Sequence, residues 1–311
     1  MARLGVIDLG SNSVRLVIYE ARKDAAAPKP FRILADEKKM AGLSAYVVDG
    51  QFSTAGIERA AAILGDHLKL ARNLSCDRVD IFATAVLRNC ANSAFAVAAI
   101  EEAIEHPIFL LSGEEEADLG LAGARIGQEL GQGTLVDIGG GSTELTALNE
   151  HGQRPRHGAS TSLPQGSVSS YAQFVAVILP ETAECRAIAE GLLSHLERLG
   201  EQSREQLRGE RLYGIGGSVR AVVKMRAQAL GLPAKPPLIE RASLDALFDL
   251  LESDRGAFAH GAAKACPDRV HTLVPGMVIL RTLMEALGAG EVVVCKYGIR
   301  EGYLVKRMLK D

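Results

Sequence analysis

Two short segments carry the residues best suited to chemistry. Ile7-Asp8-Leu9-Gly10-Ser11-Asn12-Ser13-Val14-Arg15-Leu16 aligns with Val136-Asp137-Ile138-Gly139-Gly140-Gly141-Ser142-Thr143-Glu144-Leu145. Asp, Gly, Ser and Leu recur at a constant offset of 129 residues. Each segment reads as a buried apolar strand ending in Asp, then a turn of small residues, then a second strand. An Asp at a strand end can face a cleft. A turn without bulky side chains offers backbone N–H groups to an anion, a concavity that suits phosphate oxygens. Asp8 and Asp137 can hold Mg²⁺ or another divalent cation, which takes a few carboxylates plus water and phosphate oxygens. Ser11, Asn12 and Ser13 in the first turn, and Gly139, Gly140, Gly141 and Ser142 in the second, are the expected phosphate contacts. The competing reading of either segment alone is a tight hairpin with a solvated Asp. The duplication and the triple Gly favour the phosphate reading.

Three further motifs bear on the same chemistry. Gly214-Ile215-Gly216-Gly217-Ser218 follows a strand and precedes a helix. It lacks the last Gly of a dinucleotide fingerprint, but Gly216 and Gly217 at a helix start can still bind an anion. Ser112-Gly113-Glu114-Glu115-Glu116-Ala117 opens a helix, with Ser112 and Glu115 fitting a capping box. Glu116 lies one residue beyond the cap and is left for another role, a general base. Thr84-Ala85-Val86-Leu87-Arg88 follows a strand, which places Arg88 at a strand end where it can clamp phosphate oxygens. Lys38, Lys39, Arg220, Lys224, Arg226, Arg269 and Arg300 are further basic candidates that composition does not rank. There is no Gly-Lys-Ser/Thr phosphate loop and no Gly-x-Ser-x-Gly elbow.

The elements that must position these residues alternate along the chain. Strands are expected at 4–9, 13–20, 33–39, 79–84, 108–111, 134–138, 144–148, 211–215 and 291–295. Helices are expected at 54–73, 92–105, 181–199, 218–229, 275–287 and 299–310, and a loop at 231–237. Strands separated by helices imply an α/β protein with crossover connections. The repeat implies two related domains, residues 1–125 and 126–298, with a helix at about 299–311 packing back on the first. The chain has 311 residues, enough for two cores.

A net charge of −3 disfavours a dedicated DNA binder. Five scattered cysteines in no zinc-ligand spacing point to a reduced compartment. The N-terminus is too short in apolar residues for a signal peptide. Residues 158–180 form a long uncharged stretch, yet its prolines, glutamines and serines fit a loop plus an apolar segment better than a membrane span. The expectation is a cytoplasmic protein that binds neither DNA nor membrane. An exposed apolar face on the last helix would support a homodimer.

Taken together, these segments resemble the exopolyphosphatase and guanosine pentaphosphate phosphohydrolase family of the actin/Hsp70/sugar-kinase superfamily. The matches run in family order: Val6 to Ser13, Thr84 to Arg88, Ser112 to Ala117, Val136 to Glu144, Ser162-Leu163-Pro164-Gln165-Gly166, Gly214 to Ser218, Leu273-Val274-Pro275-Gly276 and Gly298-Ile299-Arg300-Glu301-Gly302. The resemblance implies two ribonuclease-H-like domains with an interdomain cleft, and Mg²⁺-dependent hydrolysis of a terminal phosphoanhydride. It makes Glu116 the catalytic glutamate acting on water, and Asp137 and Glu144 further acidic site positions. It matches Asp8 to the first phosphate-loop Asp and Arg88 to a phosphate contact. Asp8, Asp137 and Glu144 are then the metal-side carboxylates. Two departures stand out. Lys39 to Ser44 lacks the Arg of the family's Arg-Leu-Gly-rich segment, and the helical region that follows the two domains in longer members has no counterpart. Inorganic polyphosphate is the expected substrate, with guanosine pentaphosphate as the alternative. A non-catalytic phosphate or nucleotide sensor and a small-molecule kinase are weaker readings.

Overall fold

The structure is a computed structural model, which describes residues 2–22, 29–235 and 237–309. The chain divides into two compact units, Met1–Gly127 with Tyr297–Asp311, and Gln128–Lys296.

Unit 1 holds β1 (Arg3–Leu9), β2 (Ser13–Ala21), β3 (Phe31–Met40), the short β4 (Val47–Val48) and β5 (Gln51–Phe52), α1 (Thr54–Asn73), β6 (Arg78–Ala83), α2 (Ala85–Arg88), α3 (Ser93–Ile104), β7 (Ile108–Leu110) and α4 (Gly113–Ala124). Its sheet runs β3-β2-β1-β6-β7. The first three strands are antiparallel, and β1, β6 and β7 are parallel.

Unit 2 holds β8 (Gly133–Ile138), β9 (Thr143–Leu148), β10 (Ser160–Leu163), α5 (Ser167–Phe174), α6 (Thr182–Glu197), α7 (Glu201–Leu207), β11 (Arg211–Ile215), α8 (Gly216–Leu230), β12 (Leu238–Glu240), α9 (Arg241–Ser253), α10 (Arg255–Ala265), α11 (Val270–Leu287) and β13 (Glu291–Val294). Its sheet runs β10-β9-β8-β11-β13-β12. Three antiparallel strands again lead into parallel ones, with β12 added antiparallel at the edge. The sequence repeat is thus a repeat of topology, and each unit is a ribonuclease-H-like α/β fold. After unit 2 the chain returns to unit 1 as α12 (Ile299–Tyr303), followed by a π-helical turn at Leu304–Met308.

The period of two along the strands sorts the side chains of unit 1. Ile7, Leu9, Val14, Leu16, Ile18, Ile81 and Ala83 pack with α1 and α3 residues in one cluster. Leu4, Val6, Val17, Tyr19 and Phe82 join Leu119, Tyr303, Leu304 and Met308 in another. By this alternation Asp8 and Arg15 fall on the second face, the one covered by α4 and α12.

The pairing of α4 and α12 depends on glycine. A methyl group on Gly302 would overlap the Leu119 carbonyl oxygen, and one on Gly123 would overlap the Gly298 carbonyl. Backbones in such contact leave no room for any side chain. The Gly298-to-Gly302 motif is therefore a packing device that brings Arg300 and Glu301 onto the sheet. Glu301, 6% exposed, accepts from Tyr19 Oη at 2.8 Å and from the Gly298 N–H at 3.1 Å.

Several expectations need correction. Arg88 is not at a strand end but closes α2, because the chain turns helical straight after β6. Helix α11 begins at Val270, and Pro275 lies within it; the apolar run before the proline is continuous with the core. The stretch 158–180 contains β10 and α5. Helices α7, α9 and α10 were not expected, although Leu244, Leu247, Phe248 and Leu251 show helical spacing on α9. The apolar residues of the last helix are not exposed. Tyr303, Leu304 and Met308 are buried in unit 1, so they offer no dimer surface. Residues 231–235 and 237 are irregular, while position 236 of that expected loop, and positions 310–311 of the last helix, lie outside the described residues. Pro267–Leu287, α11 with its lead-in turn, is long and apolar enough to cross a membrane, but 72% of its apolar window is buried as the core helix of unit 2.

Replacing Gly302 with Ala should destabilise the protein by about 3 kcal/mol, the upper end of ordinary overpacking costs. Equilibrium denaturation measures this; an unchanged midpoint would contradict the backbone contact.

Candidate functional site

The two turns are built alike. Gly10 N–H donates to the Ser13 carbonyl at 3.2 Å, and Gly139 N–H to the Ser142 carbonyl at 2.9 Å. In each unit the chain that leaves the third strand then caps the turn's carbonyls. In unit 1 the Ala41 and Gly42 N–H groups donate to Asn12 at 2.9 and 3.0 Å, and that of Ser44 donates to Ser11 at 3.1 Å. In unit 2 the Ser167 N–H donates to Gly139, and those of Val168 and Ser169 to Gly140, all at 2.9 Å. The Lys39-to-Ser44 segment, which lacks the expected Arg, thus supports the first turn through its backbone.

Unit 2 gathers three of the motifs around one point. The Ser218 hydroxyl donates to the Ile138 carbonyl at 2.8 Å and lies 3.3 Å from Ser167 Oγ. Gly276 of α11 packs behind both serines. The Thr143 hydroxyl donates to the Gln165 carbonyl at 2.6 Å. Asp137 stands opposite Glu144 in the β8–β9 ladder, so their side chains share one face of the sheet. Glu144, 5% exposed, accepts from the Ser162 hydroxyl at 2.8 Å. Asp137 Oδ1 lies against Gly216, whose φ of +86° and lack of a side chain the arrangement requires. The Arg269 guanidinium covers Gly217 in the same way. Asp137, Gly139, Gly140, Gly141, Ser142, Glu144, Gly216 and Gly217 therefore belong to one constellation. Sequence reasoning left Arg269 unranked; the side-chain-free Gly217 was the only signal that something packs there.

Unit 1 holds a second constellation. Glu116, 4% exposed, begins the body of α4 and pairs with Arg88 Nη1. Arg88 is fixed in turn by the Leu111 carbonyl at 2.8 Å. The expected capping box is present, with the Glu115 N–H donating to Ser112 Oγ and the Ser112 N–H to Glu115. A carboxylate in a first helical turn is favoured by the helix dipole. Asp8 pairs with Arg300 Nη1 at 2.7 Å, and Arg15, opposite it in the ladder, pairs with Asp36 at 2.5 Å. Burial pushes the Asp8 carboxyl upward, while Arg300 and Arg15 pull it back. Burial works against the charge on Arg300, but Asp8, Glu301 and Tyr19 outweigh it and raise the guanidinium's pKa. Ser11, Asn12 and Ser13 form the turn beside Asp8.

No cluster of three or more His, Cys, Asp or Glu side chains arranged to hold a metal occurs among the described residues. The Asp137–Glu144 pair fits a cation that takes its remaining ligands from water and phosphate, as Mg²⁺ does. The five cysteines are free thiols, and burial pushes Cys185 and Cys266 up to about 11 and Cys295 up to about 12. These three are inert packing residues.

Residues 17–311 match the model of the Ppx/GppA phosphatase family. The chain belongs to that family. Its members are enzymes that hydrolyse phosphoanhydride bonds. Among relatives, Exopolyphosphatase 1 of Mycobacterium leprae is 23% identical, covering 98% of this chain and 89% of that protein. The guanosine-5'-triphosphate,3'-diphosphate pyrophosphatase of Aeromonas hydrophila is 28% identical, covering 96% of this chain and 58% of that protein. In fold, the chain is similar to the crystal structure of an exopolyphosphatase from Cytophaga hutchinsonii. The TM-score is 0.82 at 19% identity, covering 97% of this chain and 96% of the other.

Gly216→Ala should displace the Asp137 carboxylate and add about 1–2 kcal/mol of backbone strain. Phosphate release should fall about tenfold, one decade per 1.36 kcal/mol of lost transition-state stabilisation. Gly231→Ala meets similar backbone strain with open space around it and should leave phosphate release unchanged. Equal activity in the two variants would contradict the packing of Asp137 on Gly216.

Proposed function

We propose that the protein is an exopolyphosphatase, releasing orthophosphate from the end of inorganic polyphosphate with a divalent cation and a water activated by Glu116. The observation that carries this reading is the Arg88–Glu116 pair at the start of α4. The guanidinium and the first turn of α4 hold this buried carboxylate in one place, as a positioned general base requires.

In the step itself, water oxygen attacks the terminal phosphorus, and its proton passes to a Glu116 carboxylate oxygen. The bond from that phosphorus to the bridging oxygen breaks, and the electron pair leaves with the shortened chain. Phosphoryl transfer asks the protein mainly for positioning and charge stabilisation. Arg88 orients Glu116 and would contact phosphate oxygens. The Gly139-to-Ser142 turn and the Gly216-Gly217 helix start supply backbone N–H groups. Asp137 and Glu144 would hold the cation, which supplies neutralisation of phosphate charge when bound. Asp137 would thereby serve both the catalytic and the metal-binding roles.

Removal of the 5'-terminal phosphate from guanosine pentaphosphate is the second reading. It is favoured by the 28% identity to the guanosine-5'-triphosphate,3'-diphosphate pyrophosphatase of Aeromonas hydrophila, and the same residues would serve it.

Glu116→Gln should lower phosphate release by about 10² or more with the unfolding midpoint preserved. Near-normal release would refute the role of Glu116. Polyphosphate and guanosine pentaphosphate, assayed side by side, should rank in that order; the reverse order would select the second reading.

A further inference from the structure

The two turns share a backbone and differ in charge. The strand-end Asp faces Arg15 across the ladder in unit 1 and Glu144 in unit 2. Unit 1 adds a second cation, Arg300. It arrives on α12 by way of the Gly123 and Gly302 backbone contacts and donates to Asp8 Oδ2 at 2.7 Å. The side chains of Arg300 and Asp8 are 16% and 21% exposed, so the pair is largely shielded from water. A carboxylate oxygen engaged by a shielded guanidinium is poorly placed to bind a cation, because both positive charges would compete for it. Two buried donors, Asn12 Nδ2 in the turn and Arg300 Nε, have no hydrogen-bond partner. A surplus of buried donors is satisfied by an oxyanion or water, not by a metal ion.

We propose that Arg300 takes Asp8 out of the cation's ligand set and dedicates the unit 1 turn to a phosphate group of the substrate, which Arg300 and Asn12 contact directly and for which Asp8 is the positioning residue. The inference rests on the phosphoanhydride reading for the identity of the anion, and it departs from the expectation that Asp8 is a metal ligand. Asp8 acts through Arg300. It fixes the guanidinium so that the remaining donors, with Asn12, keep one orientation.

The test separates cation from anion binding. Mn²⁺ alone is titrated by calorimetry against wild type, Asp8→Asn, Arg300→Gln, Arg300→Lys, Asn12→Ala and Asp137→Asn. Tripolyphosphate is titrated against the same proteins in the presence of a chelator. Asp8→Asn and Arg300→Gln should bind Mn²⁺ within about threefold of wild type, and Asp137→Asn at least about tenfold more weakly. Arg300→Gln and Asn12→Ala should bind tripolyphosphate about tenfold or more weakly, each having lost hydrogen bonds to a charged group. Arg300→Lys should recover part of that loss, keeping the charge without the planar fork. A merely structural Arg300 would not split the two ligands in this way. Loss of Mn²⁺ affinity in Asp8→Asn equal to that in Asp137→Asn would overturn the proposal. So would tripolyphosphate affinity unchanged in both Arg300→Gln and Asn12→Ala, or absent in wild type. Should Arg300→Gln fail to fold, Asn12→Ala and Arg300→Lys decide the matter alone. A wild-type protein that shows this binding pattern but releases no phosphate would refute the hydrolase reading and leave the present inference standing.

Discussion

A carboxylate at the end of a buried strand must have its charge compensated, and much of this structure follows from that constraint. Moving an ion out of water costs several kcal/mol unless charge and hydrogen bonds are returned to it. In unit 1 the return for Asp8 comes from Arg300, and delivering Arg300 requires α12 to lie against α4 with no side chain between the helices. That requirement explains two glycines, the return of the chain to unit 1 after residue 296, and the burial of Tyr303, Leu304 and Met308. Helix α4 is also the element that carries Glu116. One glycine-mediated contact therefore supports both Asp8 and Glu116.

Unit 2 meets the same constraint by other means. Its turn is locked from behind by Ser167 and Ser218, whose hydroxyls reach the Gly139 and Ile138 carbonyls. Gly216 is shaped around Asp137, and Ser162 holds Glu144. Placing two acids opposite each other in one ladder is unfavourable in isolation. A divalent cation with phosphate oxygens would relieve that repulsion. The two copies of one hairpin thus differ in charge: acid faces acid in the turn of unit 2, and acid faces Arg in the turn of unit 1.

Much of the fold was legible because its signals are local. The apolar strands and the duplicated Asp-turn hairpin can be read from period and spacing, and the capping box at Ser112 from residue type. Less legible were features set by tertiary contact. Helix α11 runs through Pro275 with its apolar residues on both sides of the proline buried in the core of unit 2. The last helix looked like an exposed apolar face because nothing in its sequence says that the sheet of unit 1 lies beneath it. At the candidate site, Glu116 and Arg88 could each be named but not paired, since 28 residues separate them. Asp8 and Arg300 are 292 residues apart, and only the folded chain shows that one neutralises the other. Arg269 has no sequence mark beyond the glycine it covers.

The central claim is that the cation belongs to the acid pair of unit 2 and not to the Asp of unit 1. The most direct measurement is anomalous diffraction from crystals of the whole chain grown with Mn²⁺ and a polyphosphate that the Glu116→Gln variant cannot turn over. The account predicts an Mn²⁺ peak coordinated by Asp137, Glu144 or both, with Asp8 still bonded to Arg300. A peak coordinated by Asp8, with Arg300 swung away, would contradict it.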